Sequence, residues 1–185
     1  MSSFISYISS FDSSILYAVQ SIGPKWLSVA KFLSYGVGSY VIMLAVFFVA
    51  LLIIERWRVV GELLIIAILS FCALALLKHT FGIDRPYMSD FGIIRYGDET
   101  SFSLPSGHAL MSVVILGWVA LRHPKSHTLV WGALVIIVLI GLSRIYLGAH
   151  YPSQVIAGWI FGGLFLYIFH LIDKRLWAPF QKKLR

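Results

Sequence analysis

RVVGELLIIAILSFCALALLKHTFGIDRP, residues 58–86, decides what kind of fold this chain can adopt. Between Arg58 and Lys78 the only charged side chain is Glu62. Hydrocarbon about 30 Å thick, crossed at about 1.5 Å per residue, needs roughly 20 mainly apolar residues. The run supplies them and predicts a spanning helix over residues 60–79. The same test works outward along the chain. No Asp, Glu, Lys or Arg lies between Lys31 and Glu55, and residues 100–121, 126–143 and 145–172 are also free of them. Spans are expected over 37–55, 60–79, 106–121, 128–146 and 153–172, which makes the chain an all-α polytopic membrane helical bundle of about five transmembrane helices in a single domain, 1–185.

Composition agrees. Hydrophobic residues make up 59% and charged residues 12% of the 185, with a mean hydropathy of +0.86. A soluble globular domain has more charge and less apolar content, and a disordered chain is the opposite of this one. The net charge of +7 would suggest nucleic acid in a soluble chain. In an apolar chain it has a topological meaning, because Lys and Arg collect on the cytoplasmic side of a membrane. Cys72 is alone, so no internal disulfide is possible, and its apolar surroundings predict an inert buried thiol.

The N-terminal part is less apolar. Residues 2–22 mix Ser with Phe4, Ile5, Ile8, Phe11, Ile15 and Leu16, and no basic stretch precedes an apolar core. This predicts an interfacial amphipathic helix rather than a cleaved signal peptide. An apolar piece near 25–35 follows, and a deeper seating of it would make a sixth crossing. With five spans, Arg56, Arg58, Arg122, Lys125, Lys174, Arg175, Lys182, Lys183 and Arg185 share one side, and Lys25, Lys31, Lys78, Arg85, Arg95 and Arg144 share the other. The richer side is the cytoplasmic one. Trp26, Trp57, Trp131 and Trp177 suit interfacial anchoring, while Gly158 and Gly162 suit close packing inside the bundle.

On the non-cytoplasmic side polar residues accumulate at the ends of spans. The second span ends in Lys78 and runs into Arg85-Pro86; the third begins at Pro105-Ser106-Gly107-His108; the fourth ends at Ser143-Arg144, and His150 precedes the fifth. Spans two and four run outward while three and five run inward, so all these residues reach one level. Lys78, Arg85 and Arg144 are three cations without as many nearby acids, which suits a dianionic phosphate. Pro105 fits a first helical turn, and Ser106 and Gly107 offer backbone N–H groups to an anion at a helix N-terminus. Of His108 and His150, one can attack phosphorus and the other can protonate a leaving oxygen. The nearby acids are too few for a metal site, so none is expected. Asp90, Asp98 and Glu99 read as a solvated loop, and Asp84 as a brace for Arg85. Taken singly, each basic residue is an ordinary snorkelling anchor. Converging on one level, they ask for an anion.

Lys78-x6-Arg85-Pro86, then Pro105-Ser106-Gly107-His108, then Ser143-Arg144-x5-His150 resembles the three-part signature of the type-2 phosphatidic acid phosphatase superfamily, which also contains glucose-6-phosphatase. The resemblance implies a helical membrane phosphatase without a metal cofactor. It implies His150 as the nucleophile that forms a phosphohistidine, and His108 as acid for the departing alkoxide and then base for water. Lys78, Arg85, Ser106, Gly107 and Arg144 would hold the phosphoryl oxygens. Expected partners are membrane lipids and a phosphorylated lipid substrate, with no nucleic acid.

The third motif departs from the family pattern at its last position, where Gln154 replaces the usual Asp. That Asp orients and stabilises the nucleophilic imidazole, as the acid of a hydrolase triad does. Gln can accept an Nδ1–H bond but carries no charge, and residues 150 and 154 share a helix face if the helix starts early enough. The text around it is similar to the glucose-6-phosphatase branch, which adds a soluble sugar phosphate as an alternative substrate, with a catalytically silent lipid-binding relative as another. The short connection from Pro86 to Pro105 leaves little material for an enclosed sugar pocket, so a lipid phosphate or diphosphate is the expectation.

Overall fold

A computed structural model describes residues 2–53, 57–97 and 99–176. Among these there are helices and no strands. The helices are α1 (Ser2–Gln20), α2 (Leu27–Lys31), α3 (Tyr40–Ile53), α4 (Trp57–Phe81), α5 (Pro86–Ser89), α6 (Gly107–Arg122), α7 (His127–Tyr146) and α8 (Pro152–Leu176). Segments Val59–Ser89, His127–Tyr146 and Pro152–Asp173 are long and apolar enough to cross a membrane. Pro24–Val37 and Tyr40–Val46 form a pair bent by 56°, which makes a fourth if it counts as one span. The chain is an integral membrane protein. Each predicted span finds a helix. However, α6 has 16 residues and α3 has 14, about 24 and 21 Å of rise.

α6 is the centre of the bundle and packs on α3, α4, α7 and α8. Its Leu110, Met111, Val114 and Ile115 are buried among Leu63, Ile66 and Leu74 of α4, Met43 of α3 and Leu166 of α8. Within lipid, apolar burial gives helices little reason to associate, so close approach through small residues carries the packing. Gly158 and Gly162 supply it as expected. A Cβ on Gly158 would lie 2.7 Å from the Ser106 carbonyl, and one on Gly162 2.7 Å from the Leu110 carbonyl. At the end of the bundle away from His150, Arg122 of α6 pairs with Glu62 of α4, lies 3.5 Å from Asp173 of α8, and sits over the Trp118 ring.

Two expectations change. Cys72 is exposed on the outside of α4 rather than buried, because the buried face of that helix near it carries Ala67, Ser70 and Leu74. The 25–35 piece is not one element: a 3₁₀ turn, Pro24–Trp26, leads through α2 into a π-helical segment, Phe32–Val37. Trp26 and Trp131 are exposed, as interfacial anchors require. Arg56, Asp98, Trp177, Lys182, Lys183 and Arg185 lie outside the described residues.

α1 is fixed by one stripe, Asp12, Leu16 and Gln20, all buried at helical spacing. Leu16 packs with Ile93, Ala109, Ile145 and Val155. Gln20 donates to the carbonyls of Ile94 and Tyr146 and accepts the Ile94 N–H.

Candidate active site

The turn from α7 to α8 explains the spacing of the third motif. α7 ends at Tyr146, and Gly148 follows with φ +68°, a conformation that favours glycine. The Gly148 N–H bonds the Ile145 carbonyl at 2.9 Å, and the Ala149 N–H bonds the Arg144 carbonyl at 3.1 Å. This pair of bonds is the Schellman pattern, in which the chain reverses as the helix ends. The next N–H, that of His150, also reaches the Arg144 carbonyl, at 3.3 Å. Ser-Arg-x5-His is therefore the distance a chain needs to leave a helix and bring a histidine back beside its last-turn arginine.

α8 starts immediately afterwards, with Pro152 as its first residue, where proline's missing N–H costs nothing. Gln154 is the third, and its Oε1 accepts the Tyr151 N–H at 3.0 Å, which is half of a capping box. The expected bond from His150 Nδ1 to Gln154 is absent, because His150 precedes the helix and the Gln side chain reaches back only as far as residue 151. His150 Nδ1 is buried with no partner. On the other side of the ring, Arg85 Nη1 lies 3.3 Å from Nε2. A guanidinium only donates, so this contact draws on the Nε2 lone pair and leaves the proton on Nδ1. Burial, then the charges of Arg144, Arg85 and Lys78, push the His150 imidazole well below its usual range. The ring is neutral at pH 7.

A cavity of about 540 Å³ brings the three motifs together. Lys78, Arg85, Gly107, His108, Arg144 and His150 line one part of it, and Tyr40, Phe71, Leu74, Ala75 and Met88 form an apolar wall. His108 stands edge-on to the rings of Tyr35 and Tyr40. Ser106 and Gln154 lie just behind this surface. Ser106 is the N-cap of α6, which begins at Gly107, so Pro105 precedes the helix rather than opening it. The Ser106 N–H is not offered to an anion as expected; it donates to the Gln154 carbonyl at 3.1 Å. Its buried Oγ has no partner.

Residues 99–102 supply an acceptor to each of the three cations. Lys78 Nζ donates to the Phe102 carbonyl and lies 3.4 Å from Ser101 Oγ. Arg85 donates to the Ser101 carbonyl at 2.8 Å, to Ser101 Oγ at 3.1 Å and to the Ala149 carbonyl at 3.0 Å. Arg144, 0% exposed, pairs with Glu99 and donates to Ser34 Oγ, while its Nε has no partner. The Tyr35 hydroxyl also donates to Glu99, at 2.8 Å. Glu99 is thus a member of the site and not the solvated acid expected. Burial pushes its carboxyl up, but the Arg144 charge and the bonds from Arg144 and Tyr35 prevail and hold its pKa at about 2. Asp84 is exposed, and Arg85 leans on Ser101 instead. Among the described residues no group of three or more His, Cys, Asp or Glu is set to hold a metal ion.

Ser34 and Tyr35 come from the π-helical segment, a conformation that is frequent at functional sites. Their signal in the sequence is faint, a polar step in an apolar stretch. Glu99 and Ser101 gave none, since their partners lie 45 and 16 residues away in the chain.

Helices long enough to cross a membrane, with cations and histidines gathered around one cavity, define a class of integral membrane protein with a positively charged pocket. The sequence model of the PAP2 superfamily matches residues 59–178, and the chain belongs to that superfamily. It is similar to the lipid A 1-phosphatase of Rhizobium etli, 32% identical over 57% of this chain and 47% of that one. It is also similar to the undecaprenyl-diphosphatase of Sulfolobus acidocaldarius, 34% identical over 60% and 54%, and to phosphatidylglycerophosphatase B of Bacillus subtilis, 32% over 42% of each. The matched stretch spans about half the length of these relatives. The fold resembles the crystal structure of a Bacillus subtilis PAP2-type phosphatidylglycerolphosphate phosphatase, with a TM-score of 0.74 at 24% identity over 93% of this chain and 89% of that one. It also resembles Aquifex aeolicus LpxE, with a TM-score of 0.72 at 24% identity over 84% and 92%.

Proposed function

We propose that this protein is a metal-independent phosphatase of a lipid phosphate monoester or diphosphate, acting through a phosphohistidine at His150. The observation that carries this reading is the gathering within one cavity of three cations with His108 and His150, the Nε2 of His150 lying 3.3 Å from Arg85 Nη1. Nε2 attacks phosphorus, the bond from phosphorus to the lipid oxygen breaks, and His108 gives that oxygen a proton. His108 then takes a proton from water, which attacks the phosphohistidine and releases phosphate with His150 restored. Lys78, Arg85 and Arg144 carry the charge that a divalent ion supplies in many phosphoryl transfers. Phosphoryl oxygens replace the acceptors that now hold Lys78 and Arg144, the Phe102 carbonyl and the Glu99 carboxylate. The Gly107 N–H, at the start of α6, adds a donor.

The side chains of Phe71, Leu74, Ala75 and Met88 give the cavity an apolar stretch beside its charged groups, which supports an amphiphilic substrate over a free sugar phosphate. In this reading α3, α4, α6, α7 and α8 are the five spans and α1 lies at the interface. The basic residues at the opposite end mark the cytoplasm, and the site opens on the other face of a cell membrane. A panel of phosphatidate, phosphatidylglycerol phosphate, undecaprenyl diphosphate and glucose 6-phosphate, assayed in detergent with EDTA, tests it. Turnover of a lipid member that vanishes in His150→Ala is expected. Loss of all turnover with EDTA, or activity confined to glucose 6-phosphate, overturns it.

A further inference from the structure

His150 is positioned by its backbone. Neither a carboxylate nor an amide holds its Nδ1, and Gln154 serves Tyr151 instead. The ring therefore stands where two helix ends leave it: the last turn of α7 before it and the first turn of α8 after it. The α7 end is closed by its own Schellman bonds. The α8 end is closed from outside, by Asp12 of α1. One Asp12 oxygen accepts the Ser153 N–H at 2.9 Å and the other the Ser153 hydroxyl at 2.5 Å. Asp12 is 5% exposed. A buried carboxylate is costly unless its oxygens are bonded, and the start of a helix is where free N–H groups and the helix dipole favour one.

The same face of α1 grips the other side of the turn. Gln20 donates to the carbonyl of Tyr146, the last residue of α7, at 3.2 Å. From Asp12 to Gln20 is eight residues of α-helix, a rigid strut about 12 Å long, with Leu16 buried between them. One end of the strut holds the end of α7, and the other holds the start of α8. The residue suspended between these two holds is His150.

We propose that Asp12 is a positioning residue for phosphoryl transfer: through Ser153 it fixes the first turn of α8 and so sets the approach of the His150 imidazole to phosphorus. The inference rests on the reading of His150 as nucleophile. Asp12 is 141 residues from Ser153 in the chain, and it bears on the reaction only through this geometry. A displacement of about 1 Å at a reacting centre costs on the order of 100-fold in rate, whereas substrate affinity lies with the three cations, which Asp12 does not touch.

The experiment is steady-state turnover of whichever panel lipid the parent hydrolyses fastest, in detergent with EDTA, for Asp12→Ala, Asp12→Asn, Asp12→Glu, Ser153→Ala and His150→Ala. Each variant is checked for monodispersity and thermal midpoint. Asp12→Ala should lower kcat by about 10- to 100-fold with KM within about twofold. Asp12→Asn, of the same size and with one acceptor left, should lose less, and Asp12→Glu should recover most of kcat. Ser153→Ala, which keeps the N–H partner, should fall between parent and Asp12→Ala. If Asp12→Ala does not fold, the order parent, Asp12→Glu, Asp12→Asn carries the same test. A cap that served stability alone lowers the midpoint while kcat per folded molecule stays within twofold of parent, and that result overturns the inference. Turnover that survives in His150→Ala overturns the reading of the nucleophile itself, and the inference with it. An inactive His150→Ala beside an unaffected Asp12→Ala overturns the inference alone.

Discussion

The two ends of the bundle treat buried charge in opposite ways. Away from the cavity, one cation, Arg122, stands between two acids, Glu62 and Asp173, with the face of Trp118 beneath it. Around the cavity, Arg144 pairs with a carboxylate, Glu99, while Lys78 and Arg85 are held by neutral oxygens from Ser101, Phe102 and Ala149. The first arrangement is closed: it ties α4, α6 and α8 together and leaves no positive charge to spare. The second is open. It holds a positive surplus in a buried place, with Arg144 Nε, Ser106 Oγ and His150 Nδ1 lacking partners. Surplus charge and unmet hydrogen bonds cost stability, and they persist where something else, such as a substrate, completes them.

The largest effect should come from removing a cation at the open end. Arg144→Ala is expected to lower kcat/KM by about 10²- to 10³-fold, the usual loss for one charged stabiliser of a transition state. Arg144→Lys should recover little, because its partners Ser34 and Glu99 are met by a planar fork. Wild-type kinetics in either variant would remove Arg144 from the phosphate cage. Breaking the ion pair at the closed end has the opposite profile. Glu62→Ala leaves Arg122 near Asp173 but half-compensated, and Arg122 is 30% exposed. The loss should be about 1–2 kcal/mol, below that of a fully buried pair, or roughly 3–6 °C in thermal midpoint for a chain of this size. Turnover per folded molecule should not change. If Glu62→Ala instead damages turnover while stability holds, the contrast between the ends fails.

Glu99 belongs to both descriptions, since it is an acid at the open end and it pairs with Arg144. Glu99→Gln takes away a competing charge, so inorganic phosphate and vanadate should inhibit more tightly, by about 3- to 10-fold at pH 7. Weaker or unchanged inhibition would show that Glu99 orients Arg144 rather than competing for it. Acid supplies an independent check. The folded pKa of about 2 lies below the ordinary value of 4.5. The stabilisation from this group is therefore complete above pH 4.5 and is lost as pH falls towards 2. Glu99→Gln should flatten that part of the stability profile. If His150 is the nucleophile, its pKa, held below the usual range by burial and the Arg144 charge, should put the acid limb of kcat/KM below pH 6.5. An acid limb above that value in a pH–rate profile would count against the role.

The sequence was most readable where a local rule applied. The apolar run after Arg58 and the charge-free stretches before Glu55 and Arg144 mark α4, α3 and α7 because lipid imposes length and composition on each span separately. Lys78, Arg85, His108, Arg144 and His150 were legible for a related reason: the alternation of the spans puts their ends at one level. What escaped depends on distance in space alone. Glu99 meets Arg144 across 45 residues, and Ser34 meets it across 110. Asp12 meets Ser153 across 141. Neither periodicity nor motif spacing records such pairs, and a carboxylate in a loop reads as solvated until its partner is placed. Ser106 erred the other way: a Pro-Ser-Gly start promised two free N–H groups, and the first turn of α8 takes one of them.

Gln154 is where local reading and tertiary structure disagree most closely, and it carries the smallest predicted effect. Spacing alone puts residues 150 and 154 on one helix face, which would let Gln replace an imidazole-orienting acid. The helix begins too late for that, and Oε1 turns to the Tyr151 N–H. Gln154→Asp shortens the side chain by one methylene and adds a charge at the third position of α8, where negative charge is favoured by up to about 1 kcal/mol. It places that charge beside an end already capped by the Asp12 carboxylate, so part of the gain is offset by repulsion. Because Gln154 does not touch the His150 ring, kcat should stay within about threefold of parent, a change well under 1 kcal/mol. A rise of tenfold or more would mean that an acid at 154 reaches Nδ1 after all, and that the unpartnered nitrogen is the incomplete part of this site. A comparable fall would mean that the neutral cap on Tyr151 is as necessary to the turn as the Asp12 bonds to Ser153.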